Sequence, residues 1–113
     1  MPNNTSFLIR DHAREQILNV AERFGSTQPA KILAWFQDTR DTITELASFP
    51  LQGVAFPSSN PGLRSLRHFR VRNHRAYWVY YRPFASGDGI EVLGVIHEKQ
   101  NIVAQLQAAL DED

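Results

Sequence analysis

The segment between Leu46 and Gly87 contains six arginines and no aspartate or glutamate. All six fall within nineteen consecutive residues, where apolar and aromatic residues alternate with them. Such alternation predicts β-strands, because successive side chains of a strand point to opposite faces of a sheet. The whole chain is formally neutral, so this segment holds positive charge apart from the acids and favours acidic partners. The six residues are Arg64, Arg67, Arg70, Arg72, Arg75 and Arg82.

The composition is typical of a folded domain without cysteine. With 113 residues, of which 42% are hydrophobic, the chain predicts a single domain over residues 1–113. The absence of cysteine excludes disulfides, thiolate zinc sites and cysteine catalysis, and we expect no cofactor and no metal. No apolar run reaches the about 18 residues that span a bilayer, and residues 1–6 lack the layout of a signal peptide. We therefore expect a cytoplasmic protein.

The first half of the chain predicts a strand and two helices. Residues 6–10 form a short first strand, and Asp11 then caps a helix that Gly25 ends. A cap at residues 26–27 begins the second helix, which stops before Pro50 because the residue preceding a proline avoids the helical conformation. Both helices carry an apolar stripe whose members are three or four residues apart. The stripes are Ile17, Val20, Ala21 and Phe24 in the first helix, and Ile32, Phe36, Thr39, Ile43 and Leu46 in the second.

The second half of the chain predicts a sheet and a last helix. Residues 52–62 are rich in turn-forming residues and have no period, which is typical of a loop. Asn101 caps the last helix. The predicted strands are 63–71, 75–82 and 90–96. The fold class is therefore α+β, a helical hairpin packed on a small antiparallel sheet in the order β-α-α-β-β-β-α, and the first strand pairs into that sheet.

The basic strands are the main candidate for a binding surface. Arginine matches phosphate and carboxylate groups through a bidentate fork, and neighbouring aromatic side chains offer stacking. Such a surface could bind nucleic acid, receive an acidic peptide or be merely solvated, and an exposed edge of the sheet is a further place where a partner could bind. The aromatic residues are Tyr77, Trp78, Tyr80 and Tyr81.

The indications of an enzyme are weaker. The four histidines lack the spacing of a metal site, and the sequence has neither a glycine-rich phosphate loop nor a serine nucleophile elbow. His97 lies where the last predicted strand ends, and a histidine there could do acid–base work near neutral pH. If the chain cleaves RNA, the candidate groups are Arg64, Arg70, Arg82 and His97.

Three motifs follow one another in the C-terminal half: Gly-Leu-Arg at 62–64, a strand ending in Tyr-Arg at 81–82, and an apolar strand that closes in His97. Their order and spacing resemble the RelE/ParE superfamily of toxins from bacterial toxin–antitoxin modules. The chain is more similar to the ParE or plasmid-stabilisation branch than to the RelE branch, because no tyrosine follows Tyr81 and only two lysines occur. Gly94 departs from the ParE branch, which often has an arginine there.

The resemblance implies the toxin of a type II module, which inhibits growth by binding a target such as DNA gyrase. A cognate antitoxin would neutralise it through an acidic segment on the basic sheet, and no membrane would take part. The residues implied in antitoxin or target binding are Arg64, Arg67, Arg70, Arg75, Tyr77, Tyr81 and Arg82. The alternatives are a RelE-like ribosome-dependent endoribonuclease that cleaves messenger RNA, and a divergent binding module without toxicity. Enzymatic activity and oligomeric state stay open.

Overall fold

A computed structural model describes residues 6–58 and 60–111 of the chain. Within those residues it contains five strands and three α-helices, with short 3-10 turns at Gly25–Thr27 and Pro61–Leu63. Part of the region considered for a signal peptide, residues 1–5, lies outside the described residues. In chain order the elements are β1 (Phe7–Ile9), α1 (Asp11–Phe24), α2 (Pro29–Ser48), β2 (Val54–Ala55), β3 (Arg67–Val71), β4 (His74–Pro83), β5 (Ile90–His97) and α3 (Ile102–Leu110).

The helical hairpin forms as the apolar stripes predict, but its caps differ. Helix α1 begins at Asp11, so Arg10 occupies the cap position and the prediction that Asp11 caps the helix was wrong by one residue. Asp11 instead lies in the first turn, where its negative charge complements the helix dipole. Helix α2 begins at Pro29 after Gln28 rather than after a cap at residues 26–27. It ends before Phe49 and Pro50, as predicted.

The sheet is mixed, with the spatial order β1-β5-β4-β3-β2. Strand β4 pairs antiparallel with both β3 and β5, whereas β1 joins the sheet, as predicted, by pairing parallel with β5. The prediction of a wholly antiparallel sheet was therefore wrong for this one edge. The other edge is β2, two residues within the predicted loop that pair with His68 and Arg67 of β3.

Each face of the sheet is covered by different helices. Helices α1 and α2 cover one face, where Val79 and Tyr81 of β4 belong to one apolar cluster with Trp35. Helix α3 covers part of the other face, where Trp78 and Tyr80 belong to a second apolar cluster with α3. Alternation along β4 thus places consecutive aromatic residues on opposite sides, and each side has a different environment.

The helices found in residues 6–58 and 60–111 are all too short or too polar to cross a membrane.

Candidate functional site

The six arginines of the acid-free segment do not form one continuous charged surface. Arg67 lies on β3 and its guanidinium donates a hydrogen bond of 2.6 Å to the carbonyl oxygen of Gly53. A second, longer bond of 3.4 Å goes to the carbonyl of Leu51. Arg67 therefore holds the segment leading into β2 against the sheet, which is a structural role.

Arg82 is held in an ion-pair cluster with Glu91. Arg82 Nε lies 2.7 Å from Glu91 Oε1, and Arg10 Nη1 lies 2.8 Å from Glu91 Oε2. Burial raises the pKa of Glu91, but the hydrogen bonds and charges of the two arginines outweigh it and leave that pKa below its ordinary value. Arg10 also donates to the carbonyl of Ala109. The cluster joins β1, β4, β5 and α3, so much of the charge of Arg82 is compensated within the molecule.

Two further arginines have acidic neighbours from outside the segment. Arg72 Nη2 lies 2.9 Å from Glu45 Oε1 at the end of α2, and Arg70 Nη1 lies 3.7 Å from Glu98 Oε1 after β5. Arg70 also bonds to the carbonyl of Arg75 and lies over the ring of Trp78, 4.3 Å from its centroid. The segment itself contains no acidic residue, but Glu45 and Glu98 lie next to it in the folded chain.

Arg64 and Arg75 are the arginines of the segment whose side chains make no hydrogen bond or ion pair in the described part of the chain. Arg64 follows the 3-10 turn Pro61–Leu63, and Arg75 lies near the start of β4; both are exposed. These two residues, with the half-exposed Arg70, are what remains of the predicted basic surface.

The prediction that Tyr81 contacts a partner conflicts with its burial. Tyr81 is 0% exposed. Its hydroxyl donates to the carbonyl of Pro50 at 2.8 Å and accepts from the amide of Gly53 at 2.9 Å. Because this tyrosine lies in the core and fixes the turn after α2, its side chain is not accessible to a partner. Tyr77 is half-buried and packs edge-on against Trp35, with ring centroids 5.0 Å apart.

The four residues considered for RNA cleavage lie apart. His97 pairs across the strands with Tyr77, whereas Arg82 pairs with Glu91 five residues further along β4, about 17 Å away at 3.3 Å per residue. The ring of His97 also packs edge-on against Tyr77 on the face covered by α1 and α2, and Arg70 stacks on Trp78 on the other face. The fold therefore does not bring these groups to one point.

Aromatic rings line the α3 face of the sheet beyond the helix itself. His68 stacks on Trp78 with ring centroids 4.7 Å apart, and Phe56 packs edge-on against both His68 and Tyr80. Burial lowers the pKa of His68, which favours the neutral imidazole in this stack. The rings that the sequence offered for stacking with a nucleic acid are thus largely engaged with one another and with Arg70.

An apolar groove, which the sequence did not indicate, lies between α1, α2 and β1. Its volume is about 390 Å³. Phe7, Leu18 and Phe36 are 40%, 48% and 37% exposed, although side chains of this size are usually buried. The lining residues are Phe7, Ile9, Arg14, Ile17, Leu18, Phe36, Thr39, Arg40 and Ile43.

Thr39 brings a buried hydroxyl to the wall of the groove. Thr39 is 2% exposed, and its hydroxyl has no hydrogen-bond partner within residues 6–58 and 60–111. The neighbouring Thr42 differs, because its hydroxyl donates to the carbonyl of Asp38 at 2.7 Å in the usual manner of a helical threonine. A buried hydroxyl without a partner costs free energy, and the burial of this one keeps it out of reach of a group placed in the groove.

Two arginines add positive charge to the groove. Arg14 of α1 makes one long hydrogen bond of 3.4 Å, to the carbonyl of Ile9. Arg40 of α2 is exposed and has no partner among residues 6–58 and 60–111. Among the described residues, no carboxylate lines the groove. The arrangement suits a ligand with apolar side chains and nearby acidic groups.

Two features of the sequence are related to this groove, although the apolar stripes alone did not predict it. Phe36 and Thr39 belong to the predicted seam of α2, so both were expected to face the core. A hydroxyl within an otherwise apolar seam, and Leu18 next to the stripe of α1, were the residues that did not fit. Since a helical pattern does not tell which part of its stripe a neighbouring element covers, the groove became visible only in the folded chain.

No group of three or more histidine, aspartate or glutamate side chains within the described ranges could hold a metal ion.

Comparison with known proteins gives a match in fold rather than in sequence. No protein-family model and no curated protein sequence matches this chain. A solved structure described as the chromosomal ParDE TA system from P. aeruginosa contains a chain similar to this one, with a TM-score of 0.64 and 18% identical residues. The likeness covers 85% of this chain and 98% of that chain. The predicted α+β class and the resemblance to the ParE-type fold are thereby confirmed at the level of the fold.

Proposed function

We propose that this chain is the toxin of a toxin–antitoxin pair of the ParDE type, acting in the cytoplasm. The observation that carries the proposal is the extent of the structural likeness, which includes 98% of the similar chain in the ParDE structure. Helices and sheet thus correspond over almost the whole of that chain rather than over a shared substructure. Fold alone does not assign function, so the proposal also depends on the surfaces that this chain presents.

The groove between α1 and α2 is the proposed binding site of the antitoxin. An amphipathic helix that places its apolar residues in such a groove is a common mode of protein recognition. Apolar side chains of that segment would contact Leu18 and Phe36, and acidic residues beside them would pair with Arg14 and Arg40. An antitoxin segment rich in acids is disordered when free and folds on binding. The site therefore differs from the one expected on the basic strands.

We assign the exposed arginines outside the groove to binding of the target. Arg64, Arg70 and Arg75 would face a cellular partner such as DNA gyrase once the antitoxin is removed. Action by binding agrees with the separation of the candidate catalytic groups, since His97 of β5 pairs with Tyr77, five residues along β4 from Arg82.

Inducible expression in a bacterium tests the proposal. We expect growth arrest with induction of the DNA-damage response, and rescue when the product of the adjacent reading frame is expressed with the chain. Loss of messenger RNA with intact DNA would favour the endoribonuclease instead. Normal growth at high, soluble expression would show a binding module without toxicity.

Substituting His97 separates binding from catalysis. We expect His97→Ala to retain toxicity, because the ring lies near no other candidate catalytic group. If His97 were a general acid or base, the activity would fall by about 10²- to 10⁴-fold. The dose of inducer that arrests growth is the measurement, with expression levels matched between the two proteins.

Paired leucine substitutions test the antitoxin site. Leu18 lines the groove and is 48% exposed, whereas Leu33 of α2 is 59% exposed and does not line it. We expect Leu18→Ser to weaken binding of the antitoxin in calorimetry and Leu33→Ser to leave it unchanged. Equal effects of the two substitutions would show that the antitoxin binds elsewhere. The toxicity assay does not depend on this result.

A further inference from the structure

A small polar cleft lies on the opposite side of α1 from the groove. Its volume is about 100 Å³, and it is bounded by α1, by strands β4 and β5 and by the start of α3. The groove uses residues 14, 17 and 18 of α1, whereas the cleft uses 16, 19, 20 and 23, about half a turn away around the helix. The polar residues of the cleft are Gln16, Asn19, Arg23, Tyr77, Gln100 and Gln105.

The amide oxygens of the three glutamines are already used by the protein. Gln16 Oε1 accepts from the backbone amide of Val95 at 2.9 Å. Gln105 Oε1 accepts from Gln16 Nε2 at 3.0 Å, and Gln100 Oε1 accepts from the backbone amide of His97 at 3.1 Å. These bonds fix the orientation of each side-chain amide, because its oxygen must point to the donor.

Several donors of the cleft are left without acceptors. The Nε2 groups of Gln100 and Gln105 and the amide of Asn19 have no hydrogen-bond partner in residues 6–58 and 60–111. Arg23 makes a single long bond of 3.4 Å, to the hydroxyl of Tyr77. No carboxylate of the described residues lines the cleft, so its lining has one formal positive charge and an excess of N–H groups. The complement of such a site is a small group with several acceptor oxygens and negative charge.

We propose that this cleft binds a small oxyanion, a carboxylate or a phosphate group, between Arg23 and the amides of Gln100 and Gln105. A volume of about 100 Å³ is enough to admit such a group. The anion would connect α1 with the start of α3, so its binding would stabilise the docking of α3 on the sheet. The inference does not depend on the proposed toxin activity.

Nuclear magnetic resonance of the ¹⁵N-labelled full chain tests the proposal directly. Inorganic phosphate and sodium acetate are titrated separately, with sodium chloride keeping the ionic strength constant. We expect saturable shifts of the side-chain NH₂ signals of Gln100, Gln105 and Asn19 with at least one of the two anions. Saturation by phosphate alone identifies a phosphate site, and saturation by acetate identifies a carboxylate site. Shifts that grow linearly with both anions and never saturate would overturn the proposal.

A matched pair of arginine variants tests the charge. Arg23→Gln removes the cation of the cleft, and Arg75→Gln removes one charge from an exposed arginine elsewhere. We expect Arg23→Gln to weaken anion binding about tenfold or more, since hydrogen bonds to charged groups are among the stronger ones, and Arg75→Gln to preserve it. Well-dispersed backbone spectra show that each variant is folded. Equal affinity in the two variants would contradict the assigned site.

Discussion

At the scale of single residues, neighbours with similar side chains have different roles. Tyr80 and Tyr81 are adjacent on β4 and are 2% and 0% exposed. The hydroxyl of Tyr81 has two partners in the turn after α2, whereas that of Tyr80 has none among the described residues. Burial raises the pKa of Tyr80 to about 12, so its phenol stays neutral. The hydroxyl of Tyr81 therefore holds this turn through two hydrogen bonds, whereas that of Tyr80 has no such role.

Tyr81→Phe should destabilise the chain by about 1–3 kcal/mol, because it leaves the amide of Gly53 and the carbonyl of Pro50 without their partner. Tyr80→Phe is the matched control and should cost less. The free energy of unfolding in urea measures both. An equal loss in the two variants would show that the hydroxyl of Tyr81 does not hold the turn.

Glu91 should make stability depend on pH. Its folded pKa lies below the ordinary value of 4.5, so its contribution is complete above that value and is lost as the pH falls towards the folded pKa. Glu91→Gln should cost about 2 kcal/mol at neutral pH and flatten the acid limb of the stability curve. Glu98→Gln, at an exposed pair, should change stability by less than about 1 kcal/mol. Urea unfolding across acidic pH measures this, and parallel acid limbs in wild type and Glu91→Gln would refute it.

At the scale of elements, the contact between α1 and β5 depends on one glutamine and one glycine. The bond from Val95 N to Gln16 Oε1 satisfies a backbone amide next to the irregular pairing of β4 with β5. A Cβ atom at Gly94 would lie 2.9 Å from Ile96 Cδ1 and 3.2 Å from Gln16 Oε1. A side chain at this position, such as the arginine that the ParE branch often has there, would therefore displace the side chain of Ile96 or Gln16.

Gly94→Arg should destabilise the chain by about 1–3 kcal/mol, the usual cost of overpacking, and should break the bond between Gln16 and Val95. Gly94→Ala should have a smaller effect of the same kind, since Cβ alone already makes the contact. Faster hydrogen exchange of the Val95 amide measures the broken bond. An unchanged exchange rate in Gly94→Arg would show that α1 shifts to make room.

The elements themselves were largely predictable, and their partners were not. Apolar periodicity located both helices of the hairpin, and Asn101 caps α3 as predicted, with its side chain accepting from Ala104 N at 3.1 Å. Strand β2 was missed because two residues give no period. The partners of Arg72 and Arg82 were missed because Glu45 and Glu91 lie outside the arginine segment and approach it only in the folded chain. Local pattern predicts an element, but tertiary contact decides which charges remain exposed.

At the scale of the whole molecule, a neutral chain still presents surfaces of different character. The groove is apolar and has arginines from two helices, the cleft behind α1 is polar, and part of the α3 face is an aromatic stack. The chain is neutral because it has 12 basic and 12 acidic residues, and some of the acids pair with arginines of the sheet.

Arg40→Glu should weaken the antitoxin complex about fivefold at low salt, since an exposed ion pair is worth up to about 1 kcal/mol. It should also make the affinity less dependent on ionic strength, because an attraction that salt screens has been removed. Calorimetry over a series of salt concentrations is the measurement, and Arg75→Glu is the control. A larger effect of Arg75→Glu would place the acidic segment on the basic strands instead.

The short edges of the sheet have a consequence for the chain at high concentration. Strand β1 has three residues and β2 has two, so neither edge offers a template on which strands of further molecules could add. Fibril growth by edge pairing is therefore disfavoured. The exposed Phe7, Leu18 and Phe36 form an apolar surface through which uncovered chains would associate, and we expect solubility to improve when that surface is occupied.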